Sequence, residues 1–429
     1  MKVVAAILLL LLGLPICSRA YSVLTHEAII DSAWDDAIKP LLLKRFPSAS
    51  PEDLKQAHSY AYGGAIIADA GYYPFGNKFF SDLIHYVRSA DFVEALLRDS
   101  QDVNEYAFAL GALAHYVADN NGHRLAVNLA VPILYPKLQR RYGNRVMYDQ
   151  SPGAHLKTEF GFDVAQVAKG HYASDSYHDY IGFNVSKPLL EKAFQETYSI
   201  ELRSIFVDYD LALGTFRRSV SIVIPEMTKV AWDLKKDEIQ KDIPGITKKK
   251  FMYNLSQASY EKEWKGNYHH IGFGTRFLAL IIRLIPKIGP FRALSFRAPT
   301  PETEKLFMAS FNATIQQYEQ SIRDLRNASP VPLVNDNLDT GAVTAPGEYP
   351  LADKTYAELL DRLAKDHFAN VSPQLRDDLL AYYSDPKAPL ATKKHKKDWS
   401  RVEDEIRDLK SYAPPANQAA SPVMSEQSD

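Results

Sequence analysis

The sequence predicts an all-α protein: a multi-helix domain around a metal site, followed by a helical and irregular C-terminal extension. Three observations predict it. Apolar residues recur at helical spacing through most of residues 21–327, and no convincing run alternates with period two. Cap residues and prolines stand where helices should begin. Polar, metal-competent side chains recur at steps of four inside apolar runs.

The elements follow in order. Ser50-Pro51-Glu52-Asp53 opens a helix, with Ser as cap and Pro in the first turn, that stops at Gly71. A second helix begins near Ser81 and carries His85, Val87 and Phe92 through Leu97. A third covers residues 102–119, with Gly122 as its stop and His123 just beyond. Pro132 and Pro136 make the stretch up to residue 146 irregular. Further helices cover residues 154–169, 187–221, 224–240 and 301–327. Residues 21–329 therefore read as one helical domain. Residues 330–350, rich in Pro, Gly, Asn and Asp, read as a linker or long loop, and residues 351–386 as a short helical extension. Residues 387–429 are charged, then rich in Pro, Ser and Gln, and read as a disordered tail.

A chain of 429 residues can bury a sizeable core. Its formal net charge of -2 gives no support for sequence-independent duplex binding. The start reads as a signal peptide over residues 1–20. Lys2 is its positive end, residues 3–14 its apolar core, and Ser18-Arg19-Ala20 its small-x-small cleavage site. Ile16 is too bulky to make Cys17 a lipid-attachment site. Cleavage after Ala20 makes Tyr21 the first residue, removes the single cysteine, and places the protein in a secreted or periplasmic setting. No later run is long and charge-free enough to span a bilayer. With no thiolate, a metal site must be built from imidazole and carboxylate.

HYVADNNGH supplies His115, Asp119 and His123 at steps of four. His115 and Asp119 share one helix face, and an aspartate between two imidazoles can give one oxygen to each of two ions. His155 and Glu159 repeat the step. Asp69 is a carboxylate at a helix C-terminus, where the dipole favours a cation. His85 lies among apolar neighbours. His26 follows the expected mature terminus by five residues, and the amine and carbonyl of Tyr21 can chelate one ion. Taken singly, each also reads as a cap, a surface pair or a satisfied core group. Together they offer nitrogen and oxygen for three metals.

These residues resemble the zinc-dependent phospholipases C, a family related to the single-strand-cleaving zinc nucleases. The likeness lies in YSVLTH, ADAGYYPFGNKFFSDLIH, HYVADNNGH and HLKTE, in that order, over residues 21–159. The resemblance implies a trinuclear Zn²⁺ site. Tyr21 and His26 would hold one ion, and Asp69, His85 and His115 a second. His123, His155 and Glu159 would hold the third, and Asp119 would bridge two ions. It implies hydrolysis of a phospholipid phosphodiester, with Asp69 also orienting or deprotonating the attacking water. The N-terminal aromatic is Tyr where the family usually has Trp.

Two features bear on the substrate. Residues 272–299 are apolar and basic with no acidic residue, which suits peripheral contact with an anionic membrane, although Pro286 and Pro290 interrupt any long amphipathic helix. Tyr72, Tyr73 and Phe75 are candidates to line a pocket beside Asp69, for a choline group or for a base. A single-strand nuclease using the same ions is the alternative. A non-catalytic zinc-stabilised binding protein is a third reading.

Overall fold

The computed structural model describes residues 22–169, 182–220, 224–242 and 293–412. The proposed leader, Tyr21, and residues 272–292 lie outside the described residues. Helices α1 (Val23–Ala33) and α2 (Lys39–Arg45), joined by a π-helical turn at Trp34–Ile38, lead into α3 (Pro51–Ile67). Ser50 caps α3, and a capping box forms there, with Ser50 and Asp53 satisfying each other's backbone N–H.

The expected second helix is two helices, α4 (Lys78–Tyr86) and α5 (Ser89–Asp99). Asn77 starts α4 early by accepting from the Phe79 N–H at 2.9 Å. Val87 is extended and Arg88 is left-handed, with φ of 52°, which breaks the run. The amides of Ala90 and Asp91, at the start of α5, donate to Asn335 Oδ1 at 3.0 and 3.2 Å. This cap comes from far along the chain.

Helix α6 (Val103–Gly122) is capped by Asp102, whose carboxylate accepts from the amides of Asn104 and Glu105. It makes its most extensive contact with α3. Glycines make that crossing close. A Cβ on Gly64 would lie 2.0 Å from Phe108 O, and one on Gly111 2.1 Å from Ala61 O.

Next come α7 (Asn128–Leu134), α8 (Pro136–Tyr142) and α9 (Pro152–Lys169). The expected helix over residues 187–221 is three: α10 (Lys187–Tyr198), α11 (Leu202–Ile205) and α12 (Tyr209–Arg218). Helix α13 covers Ile224–Asp242, and α14, Pro301–Arg326, lies along α6, where Tyr318 donates to Leu110 O at 2.9 Å. The buried side of α14 includes Ser310 and Thr314. Each can be buried because its hydroxyl donates to a carbonyl of its own helix.

Residues 330–350 do not hang free as a linker would. They carry a two-residue antiparallel pair, β1 (Asp336–Asn337) with β2 (Ala342–Val343), the only strands among the described residues. The Leu338 N–H donates to His85 O, Thr344 Oγ1 to Tyr86 O, and Ser89 Oγ to Asp336 O, at 2.7–3.0 Å. Helices α15 (Pro350–Lys365) and α16 (Pro373–Tyr382) follow.

The stretch expected to be a disordered tail contains α17 (Lys396–Ser411), which packs on α15. Val402, Ile406 and Leu409 are buried at helical spacing, and the dense surrounding charge hid that stripe. Helix α15 also packs on α4, with the Arg362 guanidinium 4.5 Å from the Phe79 ring centroid.

The described end of the supposed membrane segment is core. Ala293, Leu294 and Phe296 are buried, and Arg297 donates to Leu134 O at 2.6 Å. Among the described residues, no helix is long and apolar enough to cross a membrane.

The close crossing has a direct test. Gly111→Ala should cost about 1–3 kcal/mol by overpacking. Gly214→Ala, exposed in α12 with open space around it, should instead gain about 0.5–1 kcal/mol. Urea denaturation reads both, and an unchanged midpoint for Gly111→Ala would contradict the packing.

Candidate metal centre

Six segments bring the sequence candidates together. His26 lies on α1, Asp69 just after α3, and His85 near the end of α4. His115 and Asp119 lie on α6, and His155 and Glu159 on α9. Gly122 does not stop α6. It keeps helical dihedrals (φ -61°, ψ -51°), and His123 opens a π-helical turn, His123–Val127. Each step of four turns a helix by about 40° beyond a full turn. Asp119 therefore lies between the faces of His115 and His123. All eight residues are buried, and Asp69, at 7 % exposed, is the least so.

The donor atoms form three groups: His26, His115 and Asp119; Asp69, His85 and His115; His123, His155 and Glu159. Within each group they lie within 4.8 Å of one another. The middle group shows the strongest fit to a cation. His85 Nε2 lies 3.2 Å from His115 Nε2, and each lies 3.4 Å from Asp119 Oδ2. Asp69 Oδ1 lies 3.6 Å from His115 Nε2 and 4.0 Å from His85 Nε2. Four ligands about 2.0–2.1 Å from a common centre at tetrahedral angles stand about 3.4 Å apart.

Hydrogen bonds at the far side of each ring fix the chemistry. His85 Nδ1 lies 2.7 Å from Ser81 O, and His115 Nδ1 2.9 Å from Ala65 O. A carbonyl only accepts, so both Nδ1 atoms carry the proton, and in the neutral rings both Nε2 atoms are unprotonated lone-pair donors. Two such lone pairs at 3.2 Å, with carboxylates alongside, repel unless a cation stands among them. His155 repeats the arrangement with its nitrogens exchanged. Nε2 donates to Val146 O at 2.8 Å, and Nδ1 faces Glu159 Oε1 at 3.7 Å.

The electrostatics agree with this. Burial, reinforced by nearby His123, holds the His155 pKa down to about 3, so the ring is neutral near pH 7. Burial alone would raise Asp119. Protonated His115, His85, His26 and His123 would outweigh it and hold the carboxyl well below its usual range; with the rings neutral, a cation among them has to supply that positive charge. Neither buried Asp119 oxygen has a hydrogen bond. Oδ1 faces His26 Nε2 at 3.5 Å, while Oδ2 faces the middle group, so one carboxylate spans two groups.

Two residues that sequence reasoning missed stand beside the cluster. Asp163 is one further step of four along α9. It accepts from the Leu24 amide at 3.1 Å and from Thr25 Oγ1 at 2.6 Å, and so anchors the start of α1 beside His26. Burial raises its carboxyl to about 7 against those hydrogen bonds. The repeated step was a signal for it. Asp339, in the supposed linker, lies 3.1 Å from His123 Nε2. Nothing local in the sequence marks it.

The aromatic candidates divide. Tyr72 is buried, and its hydroxyl donates to Asp82 at 2.8 Å. Tyr73 packs edge-on against Phe216. These contacts make Tyr72 and Tyr73 packing groups rather than open pocket walls. Phe75 alone of the three is well exposed, at 40 %.

A helical scaffold that converges buried imidazoles and carboxylates in three adjoining groups defines the class: an all-α protein with candidate metal-binding groups at its centre. Residues 25–206 match the family model described as zinc dependent phospholipase C. No curated protein and no solved structure matches the chain.

Asp163→Ala leaves the buried donors at Leu24 and Thr25 without their acceptor, and should cost about 1–3 kcal/mol. Thermal unfolding checks this. A variant as stable as the parent would remove Asp163 as the anchor of α1.

Proposed function

We propose that the protein is a secreted zinc-dependent phosphodiesterase that hydrolyses phospholipids in the manner of a phospholipase C. The observation that carries the metal reading is the pair of opposed Nε2 lone pairs on His85 and His115. The substrate class rests on the family whose model residues 25–206 match. Secretion rests on the leader pattern of residues 1–20.

In this reading three Zn²⁺ ions are held. Asp69, His85, His115 and Asp119 Oδ2 hold one. His26, Asp119 Oδ1 and the freed terminus at Tyr21 hold another, and His123, His155 and Glu159 the third. Zn²⁺ bound there lowers the pKa of water from about 16 towards 7 and neutralises phosphoryl oxygens.

The chain supplies the rest. Asp69, nearest to solvent, orients the attacking water and can accept its proton. The hydrogen bonds to Ser81 O, Ala65 O and Val146 O hold three rings in the ligating tautomer. The apolar packing of α3 against α6 keeps bulk water from the buried donors. Phe75 offers an open ring to a choline headgroup.

Short-chain phosphatidylcholine and single-stranded DNA, each with and without chelator, test the reading. Chelator-sensitive release of phosphocholine with no DNA cleavage is expected. DNA turnover alone would replace the substrate class, and bound zinc without turnover of either substrate would leave a zinc-stabilised binding protein. Asp119→Ala should lose zinc and lower turnover at least about a hundredfold; full activity with full zinc content would remove the bridging role. A form with one extra residue before Tyr21 should bind less zinc, and an unchanged zinc count would remove Tyr21 from the ligand set.

A further inference from the structure

The carboxylate of Asp339 is held from several directions. Oδ2 accepts from the hydroxyls of Tyr86, at 2.8 Å, and Tyr349. The Asp339 amide donates to Asn337 Oδ1 at 3.0 Å, and its carbonyl accepts from Asn128 Nδ2 at 2.9 Å. The residue is 2 % exposed. With Oδ2 occupied, Oδ1 faces His123 Nε2 at 3.1 Å. Neutral phenols do not balance a buried negative charge, and such a charge costs several kcal/mol unless something positive stands near.

His123, His155 and Glu159 already converge without Asp339. Imidazoles ligate a metal in the neutral form, so His123 and His155 with Glu159 would bring one negative charge to a bound ion, which Asp339 makes two, the charge that one divalent ion cancels. The other ring atoms that fix tautomers in this cluster meet backbone carbonyls; His123 Nε2 instead has a carboxylate oxygen 3.1 Å away, off the line of a hydrogen bond.

We propose that Asp339 is the outer carboxylate of the third metal group, a positioning residue that steadies His123 and its cation from a segment outside residues 25–206. This rests on the reading that His123, His155 and Glu159 hold Zn²⁺. Asp339 arrives on the segment that Leu338, Thr344 and Ser89 tie to α4 and α5. Docking of that segment and retention of the third ion are therefore coupled, so the C-terminal extension contributes to the metal site.

Zinc-loaded full-length protein is titrated with a competing chelator, and the ions released are counted. The parent should release three ions. Asp339→Asn keeps the shape and the tyrosine contacts but removes the charge. It should release one of the three about 10–100-fold more readily, with the other two unchanged, and its metal-free melting temperature should stay close to the parent's. Asp339→Ala should show the same selective loss. Asp353→Asn is the control. Asp353 is an equally buried carboxylate of the extension that accepts from Gly347, Tyr382 and Ala391, and its loss should lower stability without a selective zinc effect. Asp339→Asn releasing all ions like the parent, or losing all together with its fold, overturns the proposal. A parent that binds no zinc overturns the metal reading itself, which the parent titration shows before any variant is compared.

Discussion

Two imidazole nitrogens, His85 Nε2 and His115 Nε2, face each other at 3.2 Å with the carboxylates of Asp69 and Asp119 beside them, in a part of the fold that water barely reaches. Without a cation that arrangement is costly, because lone pairs and negative charge are crowded where solvent cannot screen them. Much of the surrounding structure serves to hold them there. The α3–α6 crossing is tight enough for Ala65 O to reach His115 Nδ1, and it is tight because Gly64 and Gly111 carry no Cβ. Helix α4 turns its own carbonyl at Ser81 onto His85. Asp163 on α9 holds the start of α1, and with it the approach of His26.

The same logic explains why the C-terminal part of the chain is more than an appendage. Segment 331–349 caps α5 through Asn335, meets the backbone of α4 at His85 and Tyr86, and brings Asp339 against His123. Helix α15 then covers α4 from outside. Helix α4, which carries His85, is thus packed on one side by the domain and on the other by the extension. Residues 25–206, which match the family model, carry the three candidate donor groups, and later residues contribute to their setting.

Much of this was legible in the sequence because helices write their faces at fixed spacing. His115–Asp119 and His155–Glu159 declared shared faces, and Ser50 and Asp102 declared helix starts. The hidden features depended on contacts between distant residues. Arg88 breaks a continuous apolar run, and Asn335, far along the chain, caps helix α5 just after that break. Gly122 looked like a stop, yet the helix continues through it and carries His123 round to α9. Asp339 sits in a stretch whose composition reads as a linker, and only tertiary packing buries it. The stripe of Val402, Ile406 and Leu409 was masked by the charges around it.

Anomalous X-ray diffraction across the zinc absorption edge, on crystals of the mature protein grown with zinc, tests the central claim most directly. The account predicts a peak among His85 Nε2, His115 Nε2, Asp69 and Asp119, with adjoining peaks at His26 and at His123–His155–Glu159. Crystals that show these side chains in place with no anomalous density among them would contradict it.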